Sequence, residues 1–516
     1  MELKAHAYDI ILKDDAVNRE GDTHLEIQLW CFDKDSQPCL VRVRDFPVIC
    51  KLELPVTTDK FGNMIVWDRL NTEELLDEMR NYMNNKDIET FTKSSFQRFT
   101  RLYYYSGGKK YPYVVLAFKT VKDMKTASRR LKTFYSRNFG KLNLIFRETE
   151  ISPYNKMFSL KNLGPTERFL CKAIEIQPDD EERITKPGPS WRPFKEYEID
   201  WRTLTKIPQD MWFTYPIIFS WDIEAYSHRP PAFPSKHHSE DRIFSISVTT
   251  QVHMKEETRK DIVIIIGPSD PLENVVTYNV ENEDELIQKF FDIVKEEDPD
   301  VFIGYNIFGF DYDYLDARIL TSGQEWDNIG RLMEEKCAIK DIKWQSSAYG
   351  HNNISYIKAA GRISVDMYPY IKRDYKLPMY KLDAVGNSFL GENKTDIKYN
   401  EMFQIHKEMT ESMETLRNVT GKDNAIDAMN VLKDYNLKEK DEYNLNKAIE
   451  GNTLIVKYNV QDSVLVLKLF EKLNVWISLV ELSSIVRVTP MEFFTRGQQV
   501  RCIAQLYHAS SHKNIV

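Results

Sequence analysis

Acidic side chains in three short stretches offer the most specific chemistry in this sequence. In Asp222-Ile-Glu224 two carboxylates stand two residues apart at the end of an apolar run. Residues i and i+2 of a strand point to one side, so these two would lie together. Carboxylates held that close repel each other, and a divalent cation between them is the usual remedy. In Gly304-Tyr-Asn306-Ile-Phe-Gly-Phe310-Asp311 an apolar run passes into a helical pattern. Such strand-to-helix junctions carry the sites of open α/β sheets. There Asp311 is also a favourable helix-start charge, and Asn306 an ordinary turn residue. In Tyr458-Asn-Val-Gln-Asp462 a spacing of four puts a phenol and a carboxylate on one helix face. Each stretch alone is better explained by structure. Together, Asp222, Glu224, Asp311 and Asp462 supply an all-oxygen ligand set for a hard cation such as Mg²⁺ or Mn²⁺. Two such ions ~4 Å apart suit in-line hydrolysis of a phosphodiester, with Tyr458 orienting the attacking water.

These residues need a frame. Residues 216–222 read as a strand, residues 242–248 alternate with Ile243 on one face and Phe244, Ile246 and Val248 on the other, and residues 261–267 form a third strand. Asn282 and Glu285 make a capping pair for a helix whose apolar positions are Leu286, Phe290, Ile293 and Val294, and Pro299 closes it. Val301-Phe-Ile-Gly304 is a fourth strand, followed by a helix through Tyr314, Leu315 and Ile319. This order predicts an α/β (mixed α+β) domain: a mixed sheet flanked by helices. Residues 453–479 predict a helix with Leu454, Tyr458, Val464, Leu467 and Leu473 on one broad face. Residues 400–451, rich in Lys, Glu, Asp and Asn, read as a solvated helical insertion. Residues 1–200 look strand-rich: 26–32 alternate, and 111–118 follow the Gly107-Gly108 turn. A helix between Val121 and Tyr135 has an apolar stripe of Met124, Ala127, Leu131 and Phe134. Its remainder, with Lys122, Lys125, Arg129, Arg130 and Lys132, is a solvated face or a contact for a nucleic-acid backbone. The breaker-rich Lys186-Pro-Gly-Pro-Ser-Trp-Arg-Pro reads as a linker.

Composition limits the function classes. The chain has 516 residues, 42% hydrophobic and 29% charged, which fits a globular protein of several domains. A net charge of -8 excludes a uniformly cationic surface, though not a local basic groove. The cysteines, Cys31, Cys39, Cys50, Cys171, Cys337 and Cys502, form no Cys-x-x-Cys pair, which argues for plain reduced thiols over zinc or iron–sulfur sites. The start lacks a signal pattern, and no run approaches the ~18 apolar residues of a membrane span. An intracellular protein with no membrane association is expected.

Phe219-Ser-Trp-Asp222-Ile-Glu224 resembles the first exonuclease motif of family B DNA polymerases. Asp298-Pro-Asp-Val-Phe-Ile-Gly304-Tyr-Asn306-Ile-Phe-Gly-Phe310-Asp311 resembles the second, and Tyr458-Asn-Val-Gln-Asp462 the third. Gly361-Arg-Ile-Ser-Val-Asp366-Met-Tyr, Arg373-Asp-Tyr-Lys-Leu and Tyr380-Lys-Leu-Asp-Ala-Val are similar to the connecting segment of delta-type and large-virus members. Val488-Thr-Pro to Thr495-Arg-Gly-Gln-Gln-Val resembles the stretch before the polymerase palm. The likeness runs from Phe219 to the end, with Phe146-Arg-Glu-Thr-Glu-Ile-Ser-Pro as a faint earlier match.

The resemblance implies a ribonuclease-H-like 3′→5′ proofreading exonuclease of a DNA-directed DNA polymerase. Asp222, Glu224, Asp311 and Asp462 would hold two Mg²⁺ or Mn²⁺ ions and Tyr458 would orient water. Asp311 is preferred to Asp313 and Asp316 because it follows Phe310 in the motif. The implied domains are 1–200, amino-terminal; 201–480, exonuclease with an insertion at 400–451; and 481–516, the start of a connection to a palm. The palm motifs Asp-x-x-Ser-Leu-Tyr-Pro, Lys-x-x-x-Asn-Ser-x-Tyr-Gly and Asp-Thr-Asp do not occur. Asp366-Met-Tyr-Pro is similar to the first but reads better as a strand end. A fragment, split-gene product or truncated chain is therefore expected. Expected partners are DNA, as a single-stranded 3′ end or primer-template, and the missing polymerase half or a processivity factor. The expected place of work is the nucleus or a cytoplasmic viral replication site. Asn306, Phe308 and Phe310, with Tyr305, are the expected contacts for terminal bases. The polar, proline-broken loop after Glu224, with its histidines, reads as a mobile flank of the cleft. A stand-alone exonuclease, acting on DNA or RNA, and a silent half that only binds DNA or a partner are the alternatives.

Overall fold

In the computed structural model, residues 1–17, 21–103, 105, 107–207, 212–346, 350–392 and 397–516 are described. The chain divides into two compact units, one of them comprising Ile184–Phe194 and Phe213–Leu479. Its frame is a sheet of strands β1 (Ile217–Ala225), β2 (Ile243–Val252), β3 (Lys260–Ile266), β4 (Val275–Val280), β5 (Val301–Gly304) and β6 (Ile363–Asp366). Their order is β4-β3-β2-β1-β5-β6. β1/β2 and β2/β3 are antiparallel, while β3/β4, β1/β5 and β5/β6 are parallel, so the sheet is mixed. The runs of Ile and Val in β2 and β3 are buried along nearly their whole length. That pattern belongs to strands covered on both faces.

The alternation of β1 sorts its side chains between the two faces. Phe219 and Trp221 meet Phe290 of helix α1 (Glu283–Glu297). Ser220, Asp222 and Glu224 point the other way. There Ser220 donates a hydrogen bond to the Ser463 carbonyl of the long helix α4 (Glu439–Lys472). Between them in sequence lie α2 (Asp311–Thr321) and α3 (Tyr399–Thr420).

Several expectations are corrected here. The long helix starts at Glu439, not near residue 453, and ends at Lys472, where Asn474 takes a left-handed φ of 48° before a new helix, Val475–Val486. Leu454 is exposed, because Ile455 and Val456 take the buried positions beside it. Residues 400–451 are helical but not a solvated insertion. α3 buries Met402, Phe403, Ile405, His406, Met409, Met413 and Leu416. Met409 presses on Gly267 so closely that a Cβ there would lie 2.5 Å from its Cγ. The breaker-rich 186–193 stretch is no free linker. The Arg192 guanidinium enters an ion-pair cluster in which Arg192, Arg331 and Arg362 surround Asp298 and Asp300. β4 and the antiparallel pair Ala338–Ser346 and Gly350–Lys358 went unread in the sequence.

The other unit comprises Met1–Arg183, Lys195–Trp212 and Val480–Val516. Strands Glu2–Val17, Thr23–Asp33, Pro38–Arg44, Lys195–Asp200 and Arg168–Ile176 pair in that order, and the first also pairs with the last, closing a ring. A second sheet orders Lys93–Thr100, Lys110–Phe118, Val48–Glu53 and Ile145–Arg147. Helix Val121–Arg130 packs Met124 and Ala127 into the core, and Leu131 and Phe134 beyond its end are buried as well. All six cysteines are free thiols, five of them buried. No described helix is long and apolar enough to cross a membrane.

Candidate active site

β1 and α4 bring the first and third acidic stretches together. One carboxylate oxygen from each of Asp222, Glu224 and Asp462 lies within 4.8 Å of the others. Three polar pins fix the register of α4 on the sheet. Asn452 donates to the carbonyls of Ile266 and Pro268, Asn459 donates to Ser245 Oγ at 2.7 Å, and Ser463 Oγ meets Thr249 Oγ1 at 2.9 Å. They share the buried face with Leu465, Val466, Leu469 and Phe470. Asp462 is thereby held at 5% exposure, with Tyr458 one turn before it.

Asp311 comes from the neighbouring strand. β5 lies beside β1, and after Gly304 the chain turns tightly into α2. Gly304 is required there, since a Cβ would lie 2.2 Å from Ile307 Cγ2 and 3.0 Å from the Trp221 carbonyl. Asn306 is left-handed at φ 68°, a conformation that Asn tolerates better than most residues. Asp311 is 3% exposed, and its Oδ1 accepts the Ile223 N–H at 3.4 Å, between the two β1 carboxylates in sequence. Burial pushes its carboxyl well above the usual range, with Asp222 and then Asp366 adding like-charge repulsion. The Tyr458 hydroxyl is also pushed well up, by burial and then by Asp462, Glu224 and Asp222. It stays protonated at neutral pH.

The oxygen-only donor set and the mutual crowding of these carboxylates fit a hard divalent cation. Asp222, Glu224 and Asp462 would be its nearest ligands, with Asp311 behind them.

The base-contact expectations divide. Asn306 is exposed and Phe310 half-buried, flanked by Phe233 at 5.3 Å and Tyr314 at 5.2 Å. Phe308 is corrected to a core residue: it is 3% exposed, with its ring against Tyr312 and Tyr356. Tyr305 is half-buried and donates its hydroxyl to the Tyr380 carbonyl.

Asp366 was read only as a strand end, and its position is more informative. Its carboxylate accepts the N–H groups of Asn306 at 2.7 Å, Phe308 at 2.9 Å and Tyr368 at 2.9 Å. Burial raises its pKa to about 7 despite these three bonds. It clamps the turn that delivers Asp311. The available signal was an Asp at a strand end opening the helix Met367–Asp374.

Residues 144–385 match the family described as DNA polymerase family B, exonuclease domain. Over these residues the chain is similar to the exonuclease domain of family B DNA polymerases. Its mixed sheet with flanking helices is the ribonuclease-H-like exonuclease fold. A DNA polymerase of Invertebrate iridescent virus 3 is 31% identical over 57% of this chain and 23% of its own length. A DNA polymerase of Invertebrate iridescent virus 6 is 25% identical over 100% of this chain and 47% of its own. The DNA polymerase delta catalytic subunit of Candida albicans is 24% identical over 75% of this chain and 34% of its own. The chain thus spans less than half the length of these family B relatives. The solved family B DNA polymerase of Pyrobaculum calidifontis shares the fold at a TM-score of 0.62, with 16% identity, over 100% of this chain and 51% of that one.

Proposed function

We propose that this chain hydrolyses 3′-terminal nucleotides from single-stranded DNA, as the 3′→5′ proofreading exonuclease of a DNA-directed DNA polymerase. The observation that carries the reading is the convergence of Asp222, Glu224 and Asp462 within 4.8 Å, with buried Asp311 beside Asp222. These residues would hold two Mg²⁺ or Mn²⁺ ions, which when bound supply an activated water and charge stabilisation at the leaving 3′ oxygen. Water attacks the terminal phosphorus, the bond to the 3′ oxygen breaks, and a nucleoside 5′-monophosphate leaves. Tyr458, kept protonated, is suited to hold the attacking water rather than to take its proton. Asp366 holds the turn of Asn306 and Phe308, and thereby the start of α2. Phe310 and Asn306, which precede Asp311 in the turn, are proposed contacts for the terminal bases. Templated synthesis, primer-template binding and a processivity partner would belong to the whole protein. The exonuclease at residues 201–480 would work beside an amino-terminal domain at 1–200.

The test is degradation of 3′-labelled single-stranded DNA by the purified chain with Mg²⁺ or Mn²⁺, beside EDTA and an Asp222→Ala/Glu224→Ala variant. Metal-dependent loss of label that the variant lacks supports the reading. Undiminished cleavage by the variant sinks it. A parallel RNA oligonucleotide separates a proofreading enzyme from a ribonuclease.

A further inference from the structure

The loop over residues 226–242, which joins β1 to β2, gathers side chains that the nuclease chemistry does not use. The rings of His228 and His238 stack at 3.6 Å with 7° between their planes. Asp241, 2% exposed, lies 2.6 Å from His228 Nδ1 and 3.9 Å from His238 Nδ1. One donor atom from each of the three is within 4.8 Å of the others. His228 Nε2 is buried without a hydrogen-bond partner among the described residues. With the Nδ1–H donating a hydrogen bond to Asp241, the lone pair lies on Nε2, the form in which an imidazole binds metal.

We propose that His228 and His238 hold a borderline divalent transition ion of the zinc type, with Asp241 as the carboxylate that fixes them, in a second metal site separate from the carboxylate centre. The donor types separate the two. Imidazole nitrogen suits zinc or cobalt, while oxygen alone suits magnesium or manganese. The outer shell needed to orient such ligands is already built. Asp241 Oδ1 accepts the His228 N–H and Oδ2 the Ser235 N–H. Tyr314 donates to the Asp241 carbonyl and Arg318 to the His238 carbonyl. His238, 38% exposed, leaves room for water to complete the coordination. The same loop sets Phe233 against Phe310 and pairs Lys236 with Asp313. A bound ion therefore braces the loop against the start of α2; it takes no part in bond breaking.

The experiment strips the full chain with EDTA and dialyses it against zinc or cobalt chloride with excess magnesium. Retained metal is then counted, and cobalt ligation is read by its visible absorption. Wild type keeps one equivalent, Asp222→Ala/Glu224→Ala keeps it too, and His238→Ala binds at least about tenfold more weakly. The His228→Ala/His238→Ala variant keeps none, with circular dichroism showing that it is folded. A wild type that retains no ion, or a double-histidine variant that retains as much as wild type, overturns the site. Metal content is the readout, so a failed nuclease assay leaves this result interpretable.

Discussion

Tyr458 is the residue whose chemistry can be tested with least damage to the fold. Removing its hydroxyl leaves Asp222, Glu224 and Asp462 in place, so metal binding should persist while water is held less well. Tyr458→Phe should lower kcat about 10- to 100-fold with KM and magnesium dependence little changed, as single-turnover assays would read. Asp366 acts through the turn it clamps. Asp366→Ala leaves the Asn306, Phe308 and Tyr368 N–H groups without their acceptor, and for the buried Phe308 group the loss is about 1–3 kcal/mol. Thermal unfolding should show the lost stability, and nuclease rates should fall with it. The convergence of Asp222, Glu224 and Asp462 was legible in the sequence because acidic residues at such spacing on a strand and a helix stand out from ordinary surface charge. Phe308 was not, because an aromatic in an apolar run serves equally as core or as a stacking surface. Asp366 was not, because a lone Asp at a strand end is an ordinary helix cap until its other partners fold onto it.

At the scale of elements, β1, β2, β3 and β5 were legible as short apolar runs bounded by breakers. β4 was not: it is a half-buried edge strand without a clean alternation. α3 was misjudged because its charged residues interrupt the sequence of a buried stripe that includes His406. That histidine stacks on Phe244 at 4.7 Å and is buried, and burial, with Arg242, lowers its pKa to about 4. The unfolded chain therefore binds a proton below about pH 6.5 that the folded chain refuses. Stability must fall as pH drops from about 6.5 towards 4, by up to about 1.4 kcal/mol per pH unit for this one group. His406→Gln should flatten that slope by close to one proton in urea titrations at stepped pH, leaving the part due to His253, also lowered to about 4.

Across the whole molecule, stability in acid should depend on the cluster of Arg192, Arg331 and Arg362 around Asp298 and Asp300. Burial would raise the Asp298 carboxyl, but Arg331, then Arg362 and Arg192, bring it down to about 2. With a folded value below the unfolded ~3.9, its contribution is complete above about pH 4 and disappears as pH falls towards 2. Asp298→Asn tests this cleanly, because Asn accepts the left-handed φ of 42° at that position. The variant should be less stable at pH 7 and lose the acid slope between about pH 4 and 2.

One unit is assembled from Met1–Arg183, Lys195–Trp212 and Val480–Val516, with the whole of the other unit's main segment in between. Within the first unit, Thr166 donates to the Val480 carbonyl and Tyr154 to Glu492 at 2.5 Å. During synthesis on the ribosome, Thr166 and Tyr154 must wait for partners more than 300 residues later in the chain. The nuclease sheet, by contrast, has all its strands translated once residue 366 has emerged. The order of birth and the order of completion are reversed: the unit begun first receives a segment only after the other unit's main segment has been made.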